Sequence, residues 1–439
     1  MHTVAKGKAV GRFEAALGIV GVLALATTAI LITGWNPLPD LQSWFDRTGK
    51  LAEPEANWVQ RVGGQPSAAV VAGSTVIVTM RGTIEARGLN TGLTLWQREA
   101  DWAAVAGDES ATVAVVGRRG AGLEVLDPAT GNVRWKDADA VGAWTFRDLV
   151  LTLSCGGLSD CALAARTPSD GTQRWKSTLP GVGRVLAGIN NELLGSRELS
   201  STYRDAVAAS PDPVPSLLGF PTDERVQVVD TASGRRLREE KPTSTSRVVV
   251  VGGRVLVSTA TPRDGGCRYS LEARDAASGK SVWKKDGYDL HTASGAGCEQ
   301  RKDPAGSGNV LAATRGDNRD VFLAAHDGKE LWVGGPGETA IATDGQYGVV
   351  RSADKKSIRV YDLSSGAKLW EQAAPAKSDV AITRYAVLVN DSATTNLKAY
   401  NSRSGRQLLD LKTTAEVLGY GPAGLMLGRG RTIGYAPFG

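Results

Sequence analysis

One short pattern recurs down this chain and constrains its fold more than any other feature: an apolar-rich strand, a turn ending in glycine, then an aromatic residue four positions after that glycine. The copies are ARGLNTGLTLW (86–96), VLDPATGNVRW (125–135), ARTPSDGTQRW (165–175), VVDTASGRRLR (228–238), ARDAASGKSVW (273–283), AAHDGKELW (324–332), VYDLSSGAKLW (360–370) and AYNSRSGRQLL (399–409). Their glycines are Gly92, Gly131, Gly171, Gly234, Gly279, Gly328, Gly366 and Gly405, and several lie 38–40 residues apart. A fixed period of that size signals one supersecondary unit repeated and stacked.

The chemistry of the motif is local. Asp127, Asp230, Asp275, Asp362 and Asn401 open their turns, where a side-chain oxygen can accept a hydrogen bond from a backbone N–H two residues on. Glycine supplies the positive φ that closes a longer hairpin with a bulge. Six of the eleven tryptophans fall in one slot: Trp96, Trp135, Trp175, Trp283, Trp332 and Trp370. Arg238 and Leu409 fill it in the two degenerate copies. A large flat side chain at a fixed place in an outer strand suits packing between neighbouring sheets, so the slot reads as blade packing rather than a row of ligand sites. Two further strands usually precede each motif, as in AAVVAG–STVIVTM (68–80) and IATDG–QYGVVRS (341–352). The unit is four short strands. With 53 glycines and many short Val/Leu/Ile runs, the chain reads as all-β. Radial repetition of four-stranded sheets is the β-propeller.

The A-x-D-x-x-[ST]-G-x-x-x-W pattern resembles the PQQ-like repeat, whose family includes quinoprotein alcohol dehydrogenases and BamB-type propellers. The resemblance covers about residues 57–439 and speaks to fold, because the matching residues build blades. Literal counting gives nine units, if EVLGYGPAGLMLGRGRTIGYAPFG supplies three last strands and Asn57–Gly64 the fourth. The resemblance implies eight, and eight is the expectation, with a degenerate unit near Arg238 or His326 failing to form a full blade. Residues 201–222 read as a proline-bearing surface loop, and 286–309 as an irregular insertion.

From Ala15 to Ile32 the chain carries no charge, after Lys6, Lys8 and Arg12 and before Asp40 and Asp46. This predicts a transmembrane helix over 15–34, with 1–14 cytoplasmic, 35–56 a linker and the propeller of 57–439 outside the cell membrane. A cleaved signal peptide is the alternative. All four cysteines follow the apolar run. Cys155 and Cys161 flank an expected hairpin tip within disulfide reach, which leaves Cys267 to pair with Cys298 across a longer excursion. Free thiols and a metal site are the other readings.

Catalytic motifs are scarce. The formal net charge of +5 is too weak and scattered to point to nucleic acid. The resemblance raises a PQQ enzyme, but those dehydrogenases use an adjacent-cysteine ring, a metal ion and a catalytic aspartate, and this chain has no Cys–Cys pair. GDNRD (316–320) reads as a hairpin tip. Of the three histidines, His2 precedes the apolar run, His291 lies in the 286–309 insertion and His326 occupies a repeat turn; no G-x-S-x-G elbow accompanies them. Ser352–Lys355 and Ser365–Lys368 are S-x-x-K matches in predicted turns. No catalytic, cofactor-binding or metal residue is expected. The expected function is a non-catalytic envelope scaffold or assembly factor that binds a protein partner. A carbohydrate-sensing propeller and an envelope enzyme are the alternatives. Segments 211–221 and 267–298 are the candidate partner loops.

Overall fold

A computed structural model describes residues 56–108, 111–118, 120–156, 160–181, 211–222, 225–263, 266–290, 298, 306–307 and 309–439. They form nine antiparallel sheets, with no helix among the described residues. Blades 1 to 8 occupy 66–98, 102–137, 142–180, 217–240, 246–286, 288–333, 339–373 and 379–412. Blade 9 combines 416–437 with Val59–Arg61, which pairs with Thr432–Pro437 so that Val59 faces Gly434. Strand order within a blade follows the chain. First strands of adjacent blades lie against one another, as Pro66–Ala72 does against Glu416–Gly421 and Trp102–Ala106, so the first strand is the inner one.

Each repeat turn does what its residues dictate. Gly131 N–H donates to Asp127 O at 2.8 Å, and Asp127 N–H donates to Asn132 O at 2.9 Å. The same pair of bonds recurs at the other seven glycines. The third and fourth strands slip register by one residue at each turn, for instance between Val125 and Leu126. This is the expected bulge, and Gly131 adopts φ 71° to make it. Asp127 Oδ1 accepts from the Ala129 and Thr130 amides, two and three residues on.

Among the described residues the core is not one cluster: nine clusters are each shared by two neighbouring blades, and a tenth, small one lies under the blade 5 hairpin. One holds Ile77, Ile84 and Ala86 of blade 1 with Val105, Ala114 and Leu126 of blade 2. Another joins Met426 and Ile433 of blade 9 to Val71 and Val78 of blade 1 and closes the ring. Closure is tight: a Cβ on Gly419 would stand 2.1 Å from the Ala69 carbonyl oxygen. A blade exposes an apolar face on both sides, so an unclosed end would leave one such face in water.

The tryptophans plug the outer part of these seams. A Cβ on Gly131 would stand 2.8 Å from Trp96 of the preceding blade, and Gly171, Gly234, Gly328 and Gly405 meet Trp135, Trp175, Trp283 and Trp370 likewise. Each indole N–H donates to the carbonyl three residues before that glycine, at Pro128, Pro168, Thr231, Ala325 and Ser402, over 2.8–3.0 Å. Trp58, beside the closing strand, stacks on Gly92 and donates to Leu89 O at 2.7 Å. It was not assigned a role from sequence, because no glycine turn precedes it.

Two expectations need correction. The ring has nine blades, not eight. The degenerate copy around His326 forms a full blade, because the turn hydrogen bonds and apolar strands survive without the consensus residues. Blade 4, around Arg238, shows three strands among the described residues. Second, 217–221 is not surface loop: Leu217–Pro221 is a blade strand, with Leu218 and Phe220 fully buried. Trp332 packs in the seam of blades 6 and 7 but, unlike the other slot tryptophans, does not stack on the glycine of the next turn, Gly366. The expected membrane helix over 15–34 and the linker 35–56 lie outside the described residues, apart from Ala56.

Candidate binding face

Antiparallel blades put two kinds of loop at opposite ends. Repeat turns and first-to-second strand turns share one end. Second-to-third strand hairpins and blade-to-blade crossovers share the other. Most hairpins there are modest, with second strands of five or six residues. Blade 5 differs: Arg254–Arg263 has 10 residues and Gly266–Arg274 has 9. At about 3.3 Å per residue the hairpin outreaches its neighbours by roughly 13 Å.

That projection is braced. Cys267 pairs with Cys298, their Cα atoms 5.8 Å apart. Cys298 is buried against Ala260, with Tyr269 and Cys267 beside it. The tip exposes Thr261, Pro262, Arg263, Gly266 and Arg268. On blade 3 the hairpin end carries the second expected disulfide, Cys155–Cys161, between directly opposed residues with Cα atoms 4.1 Å apart. Both bonds match the sequence expectation and lie at the hairpin end of the ring.

Beneath the long hairpin, the seam of blades 5 and 6 carries linked polar groups. The Tyr288 hydroxyl donates to Glu330, and Arg315 approaches Glu330 at 3.5 Å and Asp317 at 3.3 Å. Lys285 lies 4.9 Å from the Tyr288 ring centroid. Burial, then the Glu330 carboxylate, pushes Tyr288 up to about 12. A phenol that reluctant to ionise is a structural donor, far from the near-neutral pKa that acid–base catalysis favours.

The sequence-flagged residues resolve into turns. His326 is exposed and stands 3.2 Å from Asp327, and its carbonyl accepts from Arg254. In GDNRD, Asn318 takes a positive φ of 60° at a hairpin tip, and Asp317 binds Arg319 at 2.8 Å. Ser352 bonds Asp354 within its own hairpin, and Lys355 holds a positive φ there. Ser365 caps a repeat turn through its amide bond to Asp362. His291 and most of the 286–309 insertion lie outside the described residues. Burial raises Asp344, but its carboxylate accepts the Gln346 and Tyr347 amides and so closes a turn. Among the described residues no group of three or more His, Cys, Asp or Glu is placed to hold a metal. With no adjacent cysteine pair in the sequence either, the described residues do not fit a quinone–metal site of the dehydrogenase kind.

Residues 267–419 match the family model described as outer membrane protein assembly factor BamB. BamB from Moraxella catarrhalis is 16% identical, with 76% of this chain and 96% of that one covered and a TM-score of 0.37. The quinohemoprotein alcohol dehydrogenase from Comamonas testosteroni is 14% identical, covering 89% and 78%, with a TM-score of 0.39. At these values the structural likenesses bear on neither partner nor activity. No curated protein matches. With the repeat geometry above, the chain is a β-propeller whose residues 267–419 resemble BamB-type, PQQ-like propeller repeats.

Proposed function

We propose that this chain is an extracytoplasmic scaffold that binds another envelope protein through the hairpin end of its ring, held at the cell membrane by residues 15–34. One observation carries the reading: a disulfide-braced hairpin on blade 5 has a second strand of 10 residues, where the second strands of the other blades have five or six. Recognition residues on a projection fixed to a rigid frame bind without a large ordering cost. The family match over 267–419 includes nearly all of this hairpin's returning strand, Gly266–Arg274, and supports a protein partner. Asp317 and Glu330, which share Arg315, are already committed to arginines or to Tyr288, which favours binding over chemistry there.

The test uses full-length protein in cells. A photo-crosslinking residue at Arg263 or Arg268 is expected to give one reproducible adduct with an envelope protein. The same probe at Ala129, in a repeat turn at the opposite end, is expected to give none. Replacing Cys267 and Cys298 with serine should weaken the adduct while the ring stays folded. Equal labelling from both ends, or none from either, rules the hairpin out as the binding surface. The anchor is tested separately: alkaline carbonate should leave the chain in the membrane, and protease outside spheroplasts should digest the propeller. Release by carbonate removes the anchor.

A further inference from the structure

Eight glycine turns repeat around the ring, and seven are covered by a flat side chain of the preceding blade. Trp58, Trp96, Trp135, Trp175, Trp283 and Trp370 cover six, and Arg238 covers Gly279. Gly366 is the exception. The nearest foreign atom to a Cβ built there is the Leu331 carbonyl oxygen at 3.5 Å, and no Trp332 atom comes within 4 Å. Gly366 alone of the eight is exposed. Yet its turn is built like the others: Gly366 N–H donates to Asp362 O at 2.8 Å, Asp362 N–H to Ala367 O at 2.9 Å, and φ is 73°.

The cause lies across the strand. Ala86, Val125, Ala165, Ala273 and Val360 face five of the stacked tryptophans. Phe322 faces Trp332. Its ring is fully buried and reaches into blade 7, where a Cβ on Gly348 would stand 2.6 Å from it. Trp332 lies against Phe322 and Tyr361, with centroids 5.5 and 5.7 Å away, and is itself buried. The Leu363 carbonyl, equivalent to the six that accept indole N–H groups, accepts no hydrogen bond among the described residues.

We propose that the Gly366 turn is a socket for a tryptophan side chain presented by a protein partner. The occupant follows from the same ring. A Cβ-free surface at positive φ, with a carbonyl three residues upstream, holds an indole at six sibling sites. The indole would lie on Gly366 and donate to Leu363 O. A single tryptophan in a shaped site is the usual form of an interface anchor. The inference rests on the scaffold reading, and its test is independent of the hairpin.

The experiment labels glycine with nitrogen-15 in the full chain, held in detergent micelles. Before any ligand, Gly131 and its siblings should show ring-current shifts that vanish when their tryptophans are replaced, and Gly366 should not. N-acetyl-tryptophanamide should then move the Gly366 resonance upfield saturably, at concentrations on the order of millimolar. N-acetyl-leucinamide should not. Gly366→Asn tolerates the positive φ and blocks the socket; its own reporter being gone, binding is read on the ligand by saturation-transfer difference, which should be lost while the sibling glycine resonances report an intact ring. A Gly366 signal already shifted in the protein alone, and released by Trp332→Leu, would show that the chain covers the turn itself and would overturn the proposal. So would the lack of a saturable shift. If the titration fails while the Arg263 adduct persists, only the socket is lost.

Discussion

Two seams of the ring solve one packing problem with different chemistry. Between blades 2 and 3, Trp135 lies on Gly171, its indole N–H bonds Pro168 O at 2.8 Å, and Arg166 sits 5.9 Å from the ring. Between blades 4 and 5, Arg238 lies on Gly279, with its guanidinium where the ring would be. That guanidinium pairs with buried Glu240, which Arg274 also reaches at 3.3 Å, and Arg274 binds Glu272 at 2.8 Å. The slot therefore selects a flat group with a donor edge rather than tryptophan as such. The difference lies in what else must be present. An indole brings its own apolar area, worth roughly 1.5–3 kcal/mol when buried. A guanidinium must be paired to offset its desolvation, so the arginine seam needs three further charged residues.

The comparison can be broken or sharpened by substitution. The largest effect is expected from Gly171→Val, which places a β-branched side chain at φ 73° and within 2.7 Å of Trp135. A loss of about 3–5 kcal/mol should appear in chemical denaturation. Trp135→Ala should cost about 2–4 kcal/mol, less than a core tryptophan because part of the ring is exposed. If Trp135→Ala were neutral, the seam would not be what holds these blades together. Arg238→Ala should cost about 1–2 kcal/mol, reduced because the side chain is 37% exposed while Glu240 is buried. Arg238→Trp should hold near the parent stability and lose sensitivity to molar salt. An unchanged salt response in Arg238→Trp would detach the ion network from the seam.

The smallest effect concerns the turns that position both seams. A side-chain hydrogen bond from Arg134, and then bonds from Thr130, hold Asp127 below the usual carboxylate range. Ser364 and Ser365 do the same for Asp362. A lowered carboxylate pKa adds stability above the unfolded value, and that stability is lost as pH falls through the folded value, so decline should begin below about pH 4. Asp362→Asn should flatten that decline and leave neutral stability nearly unchanged, as Asn401 makes the equivalent bonds to the Arg403 and Ser404 amides. An acid profile that Asp362→Asn leaves unaltered would place the acid sensitivity elsewhere.

Much of the seam architecture was legible in the repeat. The positions of the turn glycines, the bulge, five of the six stacked tryptophans assigned to the slot in advance and the terminal strand closure all follow from spacing and local chemistry. Both disulfides follow from the expected hairpin tip at 155–161. Leu217–Pro221 was hidden because prolines at 211, 213 and 215 mask the apolar run behind them. Blade number was legible in the literal count of nine units; the resemblance pointed to eight, although a blade requires its strands and turn bonds more than a family's usual number. The candidate hairpin was legible only as an interval between cysteines. Its projection depends on how far two strands stay paired.

The amino-acid sequence alone determined the unit: four short strands, a bulged glycine turn and an aromatic slot, all set by interactions within a few residues. The tertiary structure alone decided how units meet. The indole hydrogen bonds join residues 31 to 56 positions apart, and whether a ring reaches its glycine depends on the side chain opposite it in the sheet. Phe322 in place of alanine or valine redirects Trp332 and uncovers Gly366. Cross-strand register and ring closure are non-local, so each seam's outcome is settled only when all nine blades are in place.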